Sequence, residues 1–447
     1  MKKFLLLIIL FSIPSFAQFS VKGTINPSNN YSWILLYKLE NGKQEYVENA
    51  TVENGKFEFN ISESEPKGIY RAYYQMENNL YVEFIYSKEN IEFSFNPNDP
   101  IETILFSESD DNKIYQKYYK YVSTQQRMID SMQVVYFKTK DPKIDWQIKT
   151  NYQRSLEELR KAQTNFENLS KGKVAYHFIK SSAQYYADSP FKNPQDYIEE
   201  VKVHFFDAID FNDPVLRNST FINDRLTDYV FYLNQANNIE SKNLLQKKAI
   251  KFVVEKIDQD FELLKNFEET LLETYLVEEN TTMIYYVIEE YYNNLPVSHQ
   301  EDALKHKIIA ALKTAIGIEA PDFSWQENGV NKNLYSLIGS EYYILVFYST
   351  GCPHCQIEIP KFYEFISQIE NIRVVAVGLE DQKEDWEKMT ENYSEFINIL
   401  DLDKWNSKKV EKYGITGIPS YFVLDTNKYI LAKPENLDDL KSMFETR

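Results

Sequence analysis

Residues 342–362, YYILVFYSTGCPHCQIEIPKF, decide how the rest of the chain is read. Residues 343–348 form an uninterrupted apolar run, as a strand buried on both faces requires. Cys352 and Cys355 follow, and they are the only two cysteines among 447 residues. Pro353 suits the first position of a helix, where its missing N–H costs nothing. Cys352 then stands at the helix N-terminus, facing unpaired N–H groups and the positive end of the dipole, a setting that favours the reactive thiolate. Cys355 lies almost one turn on, along the same face, so the two sulfurs can meet in a small ring. Cys352 can attack a substrate disulfide, and Cys355 can then attack the mixed disulfide and release the product. His354 adds a donor, and when protonated a charge, beside Cys352.

Three other uses of the pair fit less well. Half of a zinc site would need two more ligands. No other Cys exists, and His177, His204, His299 and His306 lack finger spacing, so no metal is expected. An inert structural disulfide across so small a loop would restrain little unfolded-state entropy. A peroxidase pattern wants Pro and Thr at set distances ahead of its Cys, where this chain has Leu345 and Ser349.

Outward from the cysteines, residues 317–447 read as alternating strands and helices. Strands are expected at 372–378, 396–400, 420–424 and 429–432, and helices after the cysteines and at 383–393, 405–413 and 437–444. Residues 112–316 carry helical spacing, for example Leu226, Val230 and Leu233. Ser298 and Glu301 have the spacing of a capping box ahead of a helix with Leu304, Ile308 and Leu312 on one face. Residues 18–111 read as short strands and turns, with strict alternation in Lys56-Phe57-Glu58-Phe59-Asn60-Ile61, then a polar connector at 97–111. The expected architecture is multidomain: an all-β, sandwich-like domain (18–111), an all-α domain (112–316) and an α/β domain (317–447).

Residues 1–17 hold Lys2 and Lys3, a short apolar stretch and Ser15-Phe16-Ala17, the pattern of a cleaved signal peptide. An exported chain in a disulfide-permitting periplasm or cell envelope is expected, with no membrane span after cleavage. The formal net charge of −18 argues against nucleic acid and anionic membrane surfaces as partners.

The segments EAPDFSW (319–325), YYILVFYSTGCPHCQIEIPKF (342–362) and KYGITGIPSYFVLD (412–425) resemble, in order, the exported thioredoxin-like oxidoreductases of the TlpA/ResA type. VENGKFEFNI (52–61) resembles β-domains found ahead of thioredoxin modules, and HFFDAIDFNDPVL (204–216) resembles the helical regions that precede them. The resemblance implies a thioredoxin-like fold over residues 317–447 and a redox-active Cys352–Cys355 disulfide. It implies that Pro419 is the family's cis-proline and that the Ile418 backbone pairs with substrate. It implies that Glu358 is an acidic group near the active site, able to exchange protons with Cys355. Pro360 is expected to kink its helix by leaving the Gln356 carbonyl without a donor. Gly351 departs from the large residue usual before the first Cys. The Pro-His pair also resembles DsbA and points to an oxidising shift, whereas the domain order points to a class whose members often act as reductants; both directions of electron flow stay open.

The reading is a thiol–disulfide oxidoreductase acting on protein thiols and disulfides, without a cofactor. With no third cysteine, turnover needs an external thiol protein as redox partner. The alternative is a scaffold whose thioredoxin domain serves one bound partner.

Overall fold

A computed structural model describes residues 18–28, 31–76, 78–257, 260–300, 302–327 and 329–445. The signal-peptide reading on residues 1–17 lies outside them. The chain divides into two compact units, one reaching to Phe267 and one starting at Glu268.

The first unit opens with β1 (Gln18–Ile25), β2 (Trp33–Glu40), β3 (Lys43–Thr51), β4 (Lys56–Ser62), β5 (Gly68–Gln75), β6 (Leu80–Tyr86) and β7 (Ile91–Phe95). Alternation decides the faces: in β4, Phe57, Phe59 and Ile61 are buried and the residues between them are exposed. One sheet has the order β4-β1-β7-β8, where β8 is Leu105–Glu108, and the other β3-β2-β5-β6. Val21, Phe59 and Phe93 of the first share a core with Leu36, Tyr70 and Phe84 of the second, so the two sheets form a sandwich. The connector expected at 97–111 instead holds α1 (Pro100–Thr103) and β8 (Leu105–Glu108). Asp99 caps α1 with Pro100 in its first turn, and Phe106 alone of β8 is buried, too little for a periodic signal.

Helices follow: α2 (Asp110–Lys138), α3 (Pro142–Ser170), α4 (Ala175–Ser181), α5 (Pro194–His204), α6 (Pro214–Arg217), α7 (Phe221–Phe231), α8 (Ile239–Lys256) and α9 (Phe261–Val277), within which the division between units falls. Their starts are chemically marked. Asp141, Asn193 and Asp213 each cap a helix whose first turn holds a Pro.

In the second unit, α10 (Thr281–Glu290) and α11 (Asp302–Lys313) precede a hairpin of β9 (Ser324–Glu327) and β10 (Val330–Asn333). The expected capping box rests on Glu301 as well as Ser298. Ser298 sits inside a 3-10 turn, Val297–His299, with its Oγ 3.1 Å from His299 Nδ1. Glu301 lies outside the described residues.

The remaining elements are β11 (Tyr342–Tyr348), α12 (Pro353–Ile366), β12 (Ile372–Leu379), α13 (Glu384–Thr390), β13 (Ile397–Asp401), α14 (Lys408–Tyr413), β14 (Ser420–Leu424), β15 (Ile430–Ala432) and α15 (Leu437–Glu445). Their sheet has the order β13-β12-β11-β14-β15. β11 and β12 are parallel, as are β12 and β13, while β14 runs antiparallel to β11. Tyr343, Leu345 and Phe347 of β11 pack with Tyr413 of α14 and Trp325 of the hairpin. Ile344, Val346 and Tyr348 pack on the other face with Ile359 and Phe362 of α12 and Leu440 of α15. Each fully buried side chain of this kind contributes about 1.5–3 kcal/mol. That sum fixes β11 at the centre of the sheet, so the loop after Tyr348 leaves from a rigid base. Among the described residues no helix is long and apolar enough to cross a membrane.

Candidate active site

The loop 349–351 joins the end of β11 to α12, and the cysteines stand where it enters the helix. Cys352 is the N-cap residue, with φ −90° and ψ 116°, and its Sγ accepts the backbone N–H of Cys355 at 3.3 Å. A sulfur thus takes the place that a Ser or Asp oxygen fills in an ordinary cap, and it satisfies one of the helix's open N–H groups. Both cysteines are free thiols; Cys352 is half-exposed and Cys355 fully buried. Burial first, and then its hydrogen bond with Cys352, push the Cys355 thiol up to about 12.

The other side of the site comes from the start of β14. The Ile418–Pro419 peptide is cis, and the carbonyl of Ile418 lies 3.8 Å from Cys352 Sγ. The structure therefore brings Ile418 and Pro419 to the cysteine pair across 66 residues of chain.

Glu358 lies on the same helix, three residues past Cys355. Its side chain is only 15 % exposed, which sets it apart from a solvated helix carboxylate. One oxygen accepts the Tyr421 hydroxyl at 3.3 Å, and the other lies 3.5 Å from His354 Nε2. Burial, then the Glu358 carboxylate, and last Cys355 raise the Tyr421 hydroxyl far above its usual range. His354 is 64 % exposed and reaches along α12 toward Glu358. With its His354 partner so exposed, this contact contributes at most about 0.5 kcal/mol to the fold. Pro360 lies inside α12, which continues through it to Ile366. At Gly351 an added Cβ would meet only Ser349 Oγ, at 3.8 Å, so the missing large side chain leaves open space before Cys352.

Sequence reading passed over Glu380. It is 5 % exposed and follows β12. Parallel register sets Tyr348 opposite Gly378, which carries position 380 toward the loop at 350. Glu380 accepts the Thr350 N–H at 2.6 Å, the Thr350 hydroxyl at 2.8 Å and the Ser349 hydroxyl at 3.2 Å. Gln356 closes the same loop from the helix side, donating to the Thr350 carbonyl at 2.7 Å. The loop that presents Cys352 is thus tied from both flanks. The available signal was positional: an acid directly after a buried parallel strand, at the sheet end where such folds gather their sites.

In this arrangement Cys352 is half-exposed, and Cys355 lies buried almost one helical turn further along α12. Iodoacetamide at pH 7.5 is expected to modify Cys352 at least about 50 times faster than Cys355, because alkylation needs thiolate and access. Peptide mapping by mass spectrometry checks this. Comparable labelling of both cysteines would refute the assignment of exposed and buried thiols.

Two family models match the chain: one described as Thioredoxin-like, over residues 339–430, and a domain of unknown function (DUF4369), over residues 19–115. The thiol-disulfide oxidoreductase ResA of Geobacillus thermodenitrificans is 28% identical over 138 residues, covering 30% of this chain and 78% of that protein. Among solved structures, the thioredoxin domain of a thiol-disulfide oxidoreductase from Bacteroides vulgatus is 28% identical, covering 30% of this chain and 96% of that one, with a TM-score of 0.26. A thioredoxin-like protein from Bacteroides caccae is 23% identical, covering 57% of this chain and 94% of that one, with a TM-score of 0.40. The C-terminal region of this chain carries a thioredoxin-like domain, and its relatives are thiol-disulfide oxidoreductases.

Proposed function

We propose that the chain is an exported thiol–disulfide oxidoreductase, acting in the periplasm or cell envelope, in which Cys352 and Cys355 form the redox pair. The observation that carries this reading is the cap geometry: Cys352 Sγ, half-exposed, accepts the N–H of the buried Cys355 at 3.3 Å. Cys352 thiolate attacks one sulfur of a substrate disulfide and forms a mixed disulfide, releasing the other sulfur as a thiol. Cys355 loses its proton and attacks Cys352 Sγ, which frees the second substrate thiol and leaves the Cys352–Cys355 disulfide. An outside dithiol then reduces that disulfide and closes the cycle. In the oxidising direction the same steps run backward. The proposed substrates are protein thiols and disulfides, with the Ile418 backbone beside the attacking sulfur to hold an extended segment.

Reduction of insulin by dithiothreitol tests the reading. The full chain is expected to accelerate it at least about tenfold, and Cys352→Ser to abolish the gain. A wild-type chain that leaves the uncatalysed rate unchanged would remove the proposed activity.

Glu358 is proposed to exchange protons with Cys355 as the buried thiol ionises, with Tyr421 holding the carboxylate in place. Glu358→Gln keeps an acceptor for Tyr421, so stability should move by less than about 1 kcal/mol. The pH profile of thiol alkylation is expected to shift. An unshifted profile with wild-type stability would return Glu358 to a packing role.

A further inference from the structure

Strand β6 is the outer strand of its sheet and pairs with β5 on one side only. Residues 69 and 85 face each other across that pair. Ile69 donates its N–H to the Asn218 carbonyl at 2.8 Å. The Ile85 backbone is bracketed by the Asn112 side-chain amide, whose Oδ1 accepts the Ile85 N–H at 2.8 Å and whose Nδ2 donates to the Ile85 carbonyl at 2.8 Å. Asn112 therefore supplies, at one end of the edge, the hydrogen-bond pair that a neighbouring strand would supply. Antiparallel pairing alternates, so Glu83 and Tyr81 turn their N–H and C=O groups to the same outer side as Ile85.

That outer side is a cleft of about 930 Å³. β6 lines it from Leu80 to Ile85, and its other walls include Ile101 of α1, Phe106 of β8, and Tyr115 and Tyr119 of α2. Two of its acids are engaged: Glu83 accepts from Arg71 at 2.7 Å, and Asp224 accepts from the Thr220 hydroxyl at 2.6 Å. Glu102 stands on the α1 wall. Lys120 and Arg127, two turns apart on α2, also line the cleft and are exposed. Among the described residues, Arg127 donates to the Thr124 hydroxyl at 3.4 Å and forms no ion pair. An open strand edge in an aromatic cleft asks for an extended backbone, and the two cations ask for carboxylates on it.

We propose that this cleft binds an extended polypeptide segment as an added strand on β6, with acidic side chains of the segment against Lys120 and Arg127. The two outward residues, roughly 6.7 Å apart, offer up to about four backbone bonds, so roughly three to five residues of the segment suffice. Side chains on alternate residues would meet Tyr115 and Tyr119. This inference stands on the first unit and is independent of the redox chemistry.

The test uses the full chain carrying Cys352→Ser and Cys355→Ser, which removes covalent capture. The probe is reduced, carboxymethylated α-lactalbumin, an unfolded acidic chain, with native α-lactalbumin as control. Hydrogen exchange of the backbone amides in residues 80–86 is expected to slow about tenfold or more with the unfolded probe and not with the native one. Ser123→Trp, which fills the cleft from the surface of α2, is expected to weaken binding about tenfold or more. The pair Lys120→Glu and Arg127→Glu, on an exposed helix face, should weaken it several-fold and flatten its salt dependence. No slowing in residues 80–86 would overturn the proposal. Equal binding of native α-lactalbumin would do the same, as would probe affinity unchanged in both the Ser123 variant and the charge-reversed pair.

Discussion

Changing Cys355 to Ser is expected to leave Cys352 covalently joined to its substrates. The half-exposed sulfur still attacks, and the thiol that releases the product is gone. The opposite change should trap almost nothing. In Cys352→Ser the remaining sulfur is fully buried, and burial, the largest of the causes that raise the Cys355 thiol, persists. Burial disfavours its thiolate, so attack on a substrate disulfide is limited by both access and charge. The trapped yield is expected to differ at least about a hundredfold between the two variants. Non-reducing electrophoresis after expression in the native compartment, then mass spectrometry of what a reductant frees, measures it. Many captured proteins would indicate a general oxidoreductase, and a single one the dedicated scaffold. Equal trapping by both variants would reverse the roles of the two cysteines, and trapping by neither would remove the redox reading.

The central features of the C-terminal region were legible because their physics is local. An apolar run of six residues, 343–348, reads as a strand buried on both faces, and Pro353 after Cys352 marks a helix start. The β4 alternation was equally plain, since three buried side chains in seven residues leave one reading. What stayed hidden depends on long-range geometry. β8 exposes all but Phe106, and in the β9–β10 hairpin Trp325 alone is buried, so neither strand has a period to detect. Tyr421 reads as one more apolar residue of β14, and only the packed sheet shows its hydroxyl on Glu358. The reach of the His354 ring toward the Glu358 carboxylate, one turn further along, also shows only in the folded chain. The open edge of β6 is likewise a property of topology, because nothing within Leu80–Tyr86 says that one of its sides has no strand.

Glu380→Ala is expected to cost about 2–4 kcal/mol of stability and most of the activity. Three donors converge on this buried carboxylate: the Thr350 N–H, the Thr350 hydroxyl and the Ser349 hydroxyl. Each donor left without a partner away from water costs about 1–3 kcal/mol, and the half-exposed Thr350 can recover part of that from solvent. The functional loss has a geometric cause. Cys352 donates its own N–H to the Ser349 carbonyl at 3.2 Å, so the loop held by Glu380 sets where the helix cap begins. Once the loop moves, Cys352 Sγ no longer faces the Cys355 N–H and the Ile418 carbonyl together. Glu380→Gln keeps one acceptor oxygen but turns an NH₂ toward the donors, and it should fall between Ala and wild type. Thermal unfolding reads the first effect. The second is read by insulin reduction and Cys352 alkylation rates, both measured well below the lowered melting temperature so that the folded population is the same. Turnover is expected to fall about tenfold or more in folded Glu380→Ala. If the variant melts earlier but, while folded, reduces insulin and takes up iodoacetamide at wild-type rates, then Glu380 supports the fold and does not position the sulfur.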